Sequence, residues 1–260
     1  MISFVGAGPG APDLITLRGA QRLSEADVVV WAASLVPEEM LEHCRHDVII
    51  HDSKSMTLEE VTAVYRSHPD ASIVRLHSGD PSVYGAIAEQ IDWCITHERA
   101  FEIVPGVSSM AAAAAALGQE LTIPRVSQSV VLTRLANRTR SSVSDHEDIS
   151  SFSTHGVTMA IFLSAARPQE LQSQLLALGS CYSDETPAAI AYRISWPDER
   201  LVRTTVGKLA AALVDLGKSA TVLVLVGPAL APITNPQRSH VYSATYGHTF
   251  RAPTDGVAGA

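Results

Sequence analysis

Three short turns rich in glycine, proline and small polar residues are the parts of this sequence best suited to bind a ligand. Residues 6–10 read Gly-Ala-Gly-Pro-Gly, residues 78–85 read Ser-Gly-Asp-Pro-Ser-Val-Tyr-Gly, and residues 105–109 read Pro-Gly-Val-Ser-Ser. Glycine allows close backbone approach, and the Asp80 carboxylate can accept hydrogen bonds from ribose hydroxyls. One such motif alone indicates only a tight turn, and Asp80 alone an N-cap. Three at successive strand ends favour a ligand site.

Each turn follows a short apolar run of the length of a buried strand. Helical segments separate these runs, and one of them, residues 58–67, follows a predicted capping box of Thr57 and Glu60. This alternation predicts an open, mostly parallel sheet with helices on both faces. Ligands bind such sheets at the carboxyl ends of the strands, so we expect the three turns to meet at one edge. The predicted strands are 2–6, 28–32, 48–51, 72–77 and 101–104, and a further helix is predicted at 83–97.

The second half of the chain predicts a mixed sheet, so the fold class is α/β with two α/β domains. We expect an N-terminal domain at 1–118, a C-terminal domain at 119–230, and an extended or partly disordered tail at 231–260. A stretch rich in Ser, Asp and His, residues 137–155, predicts a surface loop. The predicted strands are 129–133, 157–163, 188–192, 201–206 and 221–226, with helices at 168–178 and 208–216.

Composition argues against several classes of partner. A formal net charge of -8 disfavours broad attraction to nucleic acid or to anionic membranes. No apolar run approaches the ~18–20 residues that span a bilayer, and the N-terminus lacks the features of a signal peptide. The cysteines at 44, 94 and 181 are odd in number and widely spaced, which fits neither a disulfide framework nor a zinc site. We expect a cytoplasmic protein without a metal, nucleic-acid or membrane partner.

The first turn also invites comparison with dinucleotide-binding proteins. Pro9, however, has no backbone N–H to offer a pyrophosphate. The second predicted strand ends in Trp-Ala-Ala-Ser and lacks the acidic residue that binds a ribose hydroxyl. An oxidoreductase that binds NAD is therefore a disfavoured alternative.

Taken together and in this order, the three turns resemble the motifs of the tetrapyrrole (corrin/porphyrin) methylase family. Further stretches resemble its precorrin-4 methyltransferase branch: residues 34–36, 52–60, 126–134, 192–199 and 226–230. The resemblance covers about residues 2–230. It implies methylation of precorrin-4 at C-11 to precorrin-5 in cobalamin biosynthesis, with S-adenosylmethionine as donor and S-adenosylhomocysteine as product.

The resemblance also implies where the cofactor binds, which is in a cleft between the two domains. Much of this contact is made by backbone, so side-chain identity can vary; the side chain of Leu163 is expected to belong to the core and its backbone to the cofactor site. The implied cofactor-binding residues are Pro9, Ser78, Gly79, Asp80, Val83, Ser108, Ser109, Leu163, Ile194, Pro228, Ala229 and Leu230.

An acceptor with many carboxylates requires a locally basic surface on this acidic protein. Arginine suits bidentate capture of carboxylates, although any one of these side chains is equally well explained as a solvated surface charge. Arg138 and Arg140 in the polar loop are further candidates. Trp196 is expected to pack on the macrocycle or to brace the turn at Pro197. The predicted substrate-binding residues are Lys54, Tyr84, Arg125, Arg134, Arg193 and Trp196.

No general base or metal is required for this reaction, because the donor is activated by its sulfonium and the acceptor carbon is nucleophilic. We therefore predict catalysis by positioning, with no certain catalytic residue. The family resemblance also implies a homodimer. Cobalt-precorrin-4, another precorrin or uroporphyrinogen III remain alternative acceptors, and a non-catalytic nucleotide-binding regulator is a third class of function.

Overall fold

The structure is a computed structural model that describes residues 1–135, 146–232 and 242–254. Its contacts divide the chain into two units. The first comprises Met1–Leu117, Ala191–Leu201 and Ala220–Leu223, and the second comprises Gly118–Ile190, Val202–Ser219 and Val224–Ala260. The first unit ends one residue before the expected boundary at 118 and also includes two short segments from later in the chain. The domain limits inferred from sequence stay a prediction.

The first unit is built on the expected parallel sheet. Its strands lie in the order β3-β2-β4-β1-β5, and every neighbouring pair is parallel. Alternate residues face two apolar clusters: Val5 and Val74 lie in one, and Phe4 and Ile73 in the other. Both faces are therefore covered, as continuous apolar strands require. The strands are β1 (Ile2–Gly6), β2 (Val28–Trp31), β3 (Ile49–Asp52), β4 (Ile73–His77) and β5 (Phe101–Val104).

Two helices of the first unit, α1 and α2, begin at caps encoded in the sequence. Thr57 and Glu60 form the predicted capping box, and Thr16 accepts a hydrogen bond from Gly19 N–H. Gly118, with φ of 63°, follows the last helix. The helices are α1 (Leu17–Ser24), α2 (Leu58–Ser67), α3 (Ala88–Thr96) and α4 (Ser109–Leu117), with 3-10 helices at Pro12–Leu14 and Glu38–His43.

The helix predicted at 83–97 was wrong over its first turns. Tyr84 and Ala86 have φ of 56° and 49°, which an α-helix does not allow. A Cβ on Gly85 would lie 2.1 Å from the Pro81 carbonyl oxygen, so the chain folds tightly back on itself here. Residues 81–87 are thus a strained turn, and helix α3 begins only at Ala88.

The second sheet is mixed, as predicted. Its strand order is β6-β7-β10-β8-β9, with β6 parallel to β7 and β10 antiparallel to β7. All five residues of β10 are buried, which fits its apolar sequence. The strands are β6 (Val130–Arg134), β7 (Thr158–Phe162), β8 (Pro187–Tyr192), β9 (Arg200–Thr205) and β10 (Val222–Val226).

The region predicted as a loop at 137–155 contains a short helix. The Asp148 side chain accepts a hydrogen bond from Ser151 N–H at 2.6 Å and caps α5 (Ile149–Ser153). The longer helices are α6 (Pro168–Leu175) and α7 (Leu209–Leu216). Helix α6 ends three residues earlier than predicted, and α7 begins one residue later. Arg138, Arg140 and residues 233–241 and 255–260 of the predicted tail lie outside the described residues. Within the described part of the chain, no helix is long and apolar enough to cross a membrane.

Candidate functional site

The three glycine turns meet at the carboxyl edge of the parallel sheet, as the sequence predicted. The first two turns pair through their backbones: Gly79 N–H donates to Gly8 O at 2.7 Å, and Gly8 N–H donates to Gly79 O at 3.2 Å. Gly8 and Gly79 both have positive φ, 80° and 64°, which explains glycine at these positions. The result is a fixed backbone surface at the ends of β1 and β4.

The third turn approaches the other two so closely that side chains are excluded. A Cβ on Gly106 would lie 2.1 Å from Gly79 O and 2.8 Å from Gly6 Cα. A Cβ on Gly6 would likewise lie 2.5 Å from Gly79 O. Contacts under 3.0 Å with backbone cannot be relieved by rotating a side chain, so these glycines fix the mutual arrangement of the three turns.

Asp80 links the second and third turns. Its Oδ2 accepts a hydrogen bond from Gly106 N–H at 2.9 Å, and its Oδ1 accepts from Ser82 N–H at 2.8 Å and from the Ser82 hydroxyl. Burial raises the pKa of the carboxyl, but the hydrogen bonds from Ser82 and Gly106 outweigh burial, so the pKa lies below its ordinary value. Asp80 therefore organises the edge in addition to the role in cofactor binding that we predicted for it.

The remaining predicted residues of these turns lie around this edge. Pro9 is buried, Ser78 is exposed, and Val83, Ser108 and Ser109 are half-buried. A Cβ on Gly79 would touch only Ser108 Cα, at 3.9 Å, so the outer side of this turn is open. Backbone exposed in this way is the kind of surface that can lie against a nucleoside and its amino-acid tail.

Lys54 and Tyr84 also belong to this edge. Lys54 follows β3, and its ammonium lies 3.0 Å from an oxygen of Asp52, whose pKa is lowered by the Lys54 N–H and ammonium. Tyr84 lies in the strained turn after Asp80 and is 44% exposed. Both side chains are therefore accessible to a ligand that approaches this edge.

The segment 193–199 lies against the first glycine turn. Trp196 Nε1–H donates to Pro9 O at 3.0 Å, and Ala11 N–H donates to the Ser195 hydroxyl at 2.9 Å. The Arg193 guanidinium carbon lies 3.9 Å from the centre of the Trp196 ring, and Arg193 is paired with Asp198 at 2.8 Å. Ile194 is buried. Of the segment 193–199, sequence reasoning selected Arg193, Ile194 and Trp196 but missed Ser195, because nothing local to that position indicates a partner so distant along the chain.

The other predicted residues belong to the second unit and are described within it. Leu163 follows β7 with φ of 51° and is 62% exposed. The expectation that its side chain belongs to the core was therefore wrong. Gly227 N–H donates to Pro187 O at 3.0 Å and introduces the turn Pro228–Leu230, in which Ala229 and Leu230 are buried. Arg125 is exposed with φ of 63°, and Arg134 ends β6 half-buried. That these residues share a ligand cleft with the first unit stays a prediction.

Two features bear on what chemistry the chain could perform. Among residues 1–135, 146–232 and 242–254, no group of three or more His, Cys, Asp or Glu side chains is placed to hold a metal ion. His77, at the end of β4, is buried, and burial followed by the nearby Arg75 charge lowers its pKa to about 3. A histidine that stays neutral at physiological pH beneath the glycine turns was not foreseen from sequence.

Comparison with known proteins identifies the family. Residues 1–210 match the family of tetrapyrrole (corrin/porphyrin) methylases. The chain belongs to this family. It is 41% identical to the cobalt-precorrin-4 C(11)-methyltransferase of Methanocaldococcus jannaschii, over 96% of this chain and 93% of the relative. It is 42% identical to the precorrin-4 C(11)-methyltransferase of a Sinorhizobium species, over 96% of this chain and 98% of the relative.

Solved structures of family members agree with this assignment. A cobalt precorrin-4 methyltransferase of cobalamin biosynthesis is 39% identical and superposes with a TM-score of 0.84, over 89% of this chain and 96% of the other. The uroporphyrin-III C-methyltransferase of Thermus thermophilus, solved with S-adenosylhomocysteine, is 25% identical with a TM-score of 0.72, over 88% of this chain and 93% of the other. The α/β fold inferred from sequence is thereby confirmed as that of the tetrapyrrole methylases.

Proposed function

We propose that this protein transfers a methyl group from S-adenosylmethionine to C-11 of precorrin-4 and forms precorrin-5 in cobalamin biosynthesis. The observation that carries the proposal is identity of about 40% along nearly the whole chain to relatives named for this reaction. The structural comparison points the same way, because the TM-score is higher for the precorrin-4 enzyme than for the uroporphyrin-III enzyme.

The glycine turns suit S-adenosylmethionine better than a dinucleotide. Pro9 has no N–H and Gly8 N–H is already donated to Gly79 O, so the first turn offers few donors to a pyrophosphate. The open outer side of Gly79 and the exposed Ser78 leave room for a nucleoside at the second turn. Asp80, Val83, Ser108 and Ser109 would complete the first unit's share of the site.

The second unit would supply backbone rather than charged groups to the cofactor. Leu163 has positive φ, and a backbone in this conformation persists at functional sites because the surrounding structure holds it there. The turn Pro228–Leu230 is the other contributor that we propose from the second unit. Ile194 belongs to the first unit and would add to that unit's share of the site.

The acceptor would be held by cations that are currently paired on the protein. Lys54 pairs with Asp52 and Arg193 with Asp198, and both pairs are solvent-accessible. Exposed ion pairs contribute ~0–1 kcal/mol, so a substrate carboxylate can replace the protein carboxylate at little cost. Arg125 and Arg134 would contact further carboxylates, and Tyr84 the edge of the macrocycle.

These residues would accelerate the reaction by orientation. S-adenosylmethionine, when bound, supplies a methyl group already activated by its sulfonium. The glycine turns would fix the donor, and the cations would fix the acceptor carbon in line with it. Correct orientation of two reactants can lower a barrier by ~7–11 kcal/mol. This proposal requires neither a metal nor a strong base from the chain.

Cobalt-precorrin-4 is a second candidate acceptor. Relatives of very similar identity are named for the cobalt-containing and for the cobalt-free substrate. A cobalt ion would be part of the substrate, so the chain need not bind it. We also propose a homodimer in the cytoplasm, which sedimentation analysis and cell fractionation would test.

The cofactor is tested by calorimetric titration of the protein with S-adenosylhomocysteine, with NAD as the control ligand. We expect micromolar-range binding of S-adenosylhomocysteine and none of NAD. Absence of binding by a folded protein would contradict the proposal.

The acceptor and its reacting carbon are tested by turnover. Precorrin-4 and cobalt-precorrin-4 are each incubated with S-adenosylmethionine carrying a carbon-13 methyl group, and the product is examined by mass spectrometry and NMR. One added methyl group at C-11 is expected. Faster turnover of uroporphyrinogen III, or a label at another carbon, would reassign the chain within the family.

A further inference from the structure

We infer that Ser195 and Trp196 form a latch that fixes the first glycine turn, and that Trp196 is a positioning residue for the cofactor rather than a contact for the macrocycle. This inference rests on the proposed function, because it takes the first glycine turn to be part of the S-adenosylmethionine site. It replaces the substrate-binding role that was predicted for Trp196 from the sequence, where the alternative was that Trp196 braces the turn at Pro197.

The latch makes two hydrogen bonds that flank the turn. Trp196 Nε1–H donates to Pro9 O at 3.0 Å, and Ala11 N–H donates to the Ser195 hydroxyl at 2.9 Å. Neither group of the turn is satisfied by a helix or strand, and Pro9 is buried. A buried carbonyl without a partner is costly, so the indole N–H determines where the Pro9 carbonyl points.

Steric contact reinforces these bonds at Gly10. A Cβ there would lie 2.2 Å from Cδ1 and 2.4 Å from Nε1 of Trp196. The backbone of Gly10 is not in the left-handed region, so its conformation alone would accept alanine. Glycine is needed at this position because the indole lies directly against it.

The segment that carries the latch is itself held in a strained shape. Arg193 and Ser195 have φ of 42° and 66°. Ser195 N–H donates to a carboxylate oxygen of Glu199 at 2.8 Å, and Arg193 is held by Asp198 and by the Trp196 ring. Strain of this kind persists only where neighbouring contacts impose it. Here those contacts orient the indole N–H and the Ser195 hydroxyl toward the turn.

These contacts leave little of the indole for another partner. The Arg193 guanidinium lies over the ring, Gly10 lies against its five-membered part, and its only N–H is donated to Pro9. A macrocycle that stacked on the face covered by Arg193 would have to displace that guanidinium. Positioning of the cofactor turn explains the observed contacts without such a rearrangement.

The experiment compares Trp196→Phe with Trp93→Phe, by calorimetry with S-adenosylhomocysteine and by KM for the tetrapyrrole. Trp93 is a matched control because its buried Nε1 has no hydrogen-bond partner and it lies in α3. We expect Trp196→Phe to raise Kd for S-adenosylhomocysteine about tenfold, with KM for the tetrapyrrole unchanged. Ser195→Ala is expected to raise the same Kd by a smaller factor, again with KM unchanged. Trp93→Phe should leave both values as in the wild type. Circular dichroism and urea unfolding verify that each variant is folded.

A mutant cycle tests the contact with Gly10 separately. Gly10→Ala should weaken binding strongly in the wild type and little in a Trp196→Ala background, because the clash is then absent. Equal losses in both backgrounds would overturn the latch, as would a Trp196→Phe variant with unchanged Kd and a raised KM for the tetrapyrrole. If the wild type itself fails to bind S-adenosylhomocysteine, the proposed function falls and this inference with it.

Discussion

The turns that we propose for the cofactor are built differently in the two units. In the first unit the turns approach one another so closely that two positions exclude a side chain: a Cβ on Gly6 would lie 2.5 Å from Gly79 O, and a Cβ on Gly106 would lie 2.1 Å from the same atom. In the second unit the proposed contacts include Leu163, a residue other than glycine whose backbone has φ of 51°. One arrangement needs particular residue types, and the other needs only a particular backbone path.

This difference determines how each unit tolerates substitution. A glycine in close contact with backbone cannot be replaced without moving a neighbouring turn. A half-exposed residue whose backbone makes the contact can change its side chain at small cost. Substitutions in the first unit should therefore be severe and those in the second mild, and the four predictions below test this contrast from the largest effect to the smallest.

The largest effect is expected for Gly106→Ala. The new Cβ would lie 2.1 Å from the Gly79 carbonyl oxygen and 2.8 Å from Gly6 Cα, so all three turns must separate. We expect the free energy of unfolding to fall by about 3 kcal/mol or more, and binding of S-adenosylhomocysteine to be lost. Urea unfolding and calorimetry measure the two effects.

Gly118→Ala is the matched control for this substitution. Gly118 has positive φ, 63°, but a Cβ there meets nothing within 4 Å. We expect a loss of only about 1 kcal/mol from backbone strain, with binding retained. If Gly106→Ala were no worse than Gly118→Ala, the close approach of the turns would not be what requires glycine.

The second prediction concerns acid and the strand end beneath the turns. The pKa of His77 is lowered to about 3 by burial and by Arg75, while an unfolded histidine titrates near 6.5. Its contribution to stability is thus present above pH ~6.5 and is lost as the pH falls toward 3, because the unfolded chain binds the proton first. The loss is at most about 1.4 kcal/mol per pH unit.

The variant His77→Leu isolates this contribution. Urea midpoints of the two proteins should diverge with pH, and the variant should have the shallower profile between pH ~6.5 and ~4. Parallel profiles would show that His77 is not held neutral in the folded protein.

Much of the first unit could be predicted from the sequence because local signals and tertiary structure agree there. The strands are apolar runs, Thr57 and Glu60 form the capping box, and the turns follow the strand ends. The prediction of a helix at 83–97 was wrong at Tyr84 and Ala86, which have positive φ although the apolar pattern there is typical of a helix. Such strain is imposed by neighbouring segments, and the residue types at these positions do not indicate it.

The contacts of the candidate site were less predictable for the same reason. Asp80 was selected for its carboxylate, but its hydrogen bond to Gly106 N–H depends on the approach of two turns. Ser195 was missed, and the contact of Gly10 with Trp196 was not predicted, because the partners lie far apart along the chain. Residue types identified the family's turns, whereas the bonds between turns required the structure.

The third prediction is that Asp80→Ala lowers the stability of the protein and also weakens binding of S-adenosylhomocysteine. The variant removes the acceptor for Gly106 N–H and for the Ser82 N–H and hydroxyl. Hydrogen bonds to a charged group contribute about 1.5–3 kcal/mol, so we expect a loss of about 2 kcal/mol in stability together with weaker binding. Hydrogen exchange of Gly106 N–H should also become faster.

Acid should reduce this difference between the two proteins. The pKa of Asp80 is lowered in the folded state, so its stabilisation is present above the unfolded value of about 3.9 and is lost as the pH falls through the folded value. Asp80→Asn, which keeps an acceptor, should lie between the wild type and Asp80→Ala. A variant that loses binding without any loss of stability would assign Asp80 to the ligand alone.

The smallest effect is expected in the second unit, at Leu163. The side chain is 62% exposed and the proposed contact is made by the backbone, so Leu163→Ala should change Kd for S-adenosylhomocysteine by less than about twofold, or ~0.4 kcal/mol. Leu163→Gly should bind at least as well, because glycine adopts φ of 51° without strain. Leu163→Pro should lose binding of S-adenosylhomocysteine, because proline fixes φ near −65° and cannot adopt this backbone conformation. If alanine weakened binding as strongly as proline, the side chain itself would be the contact, and the second unit would depend on residue type as the first does.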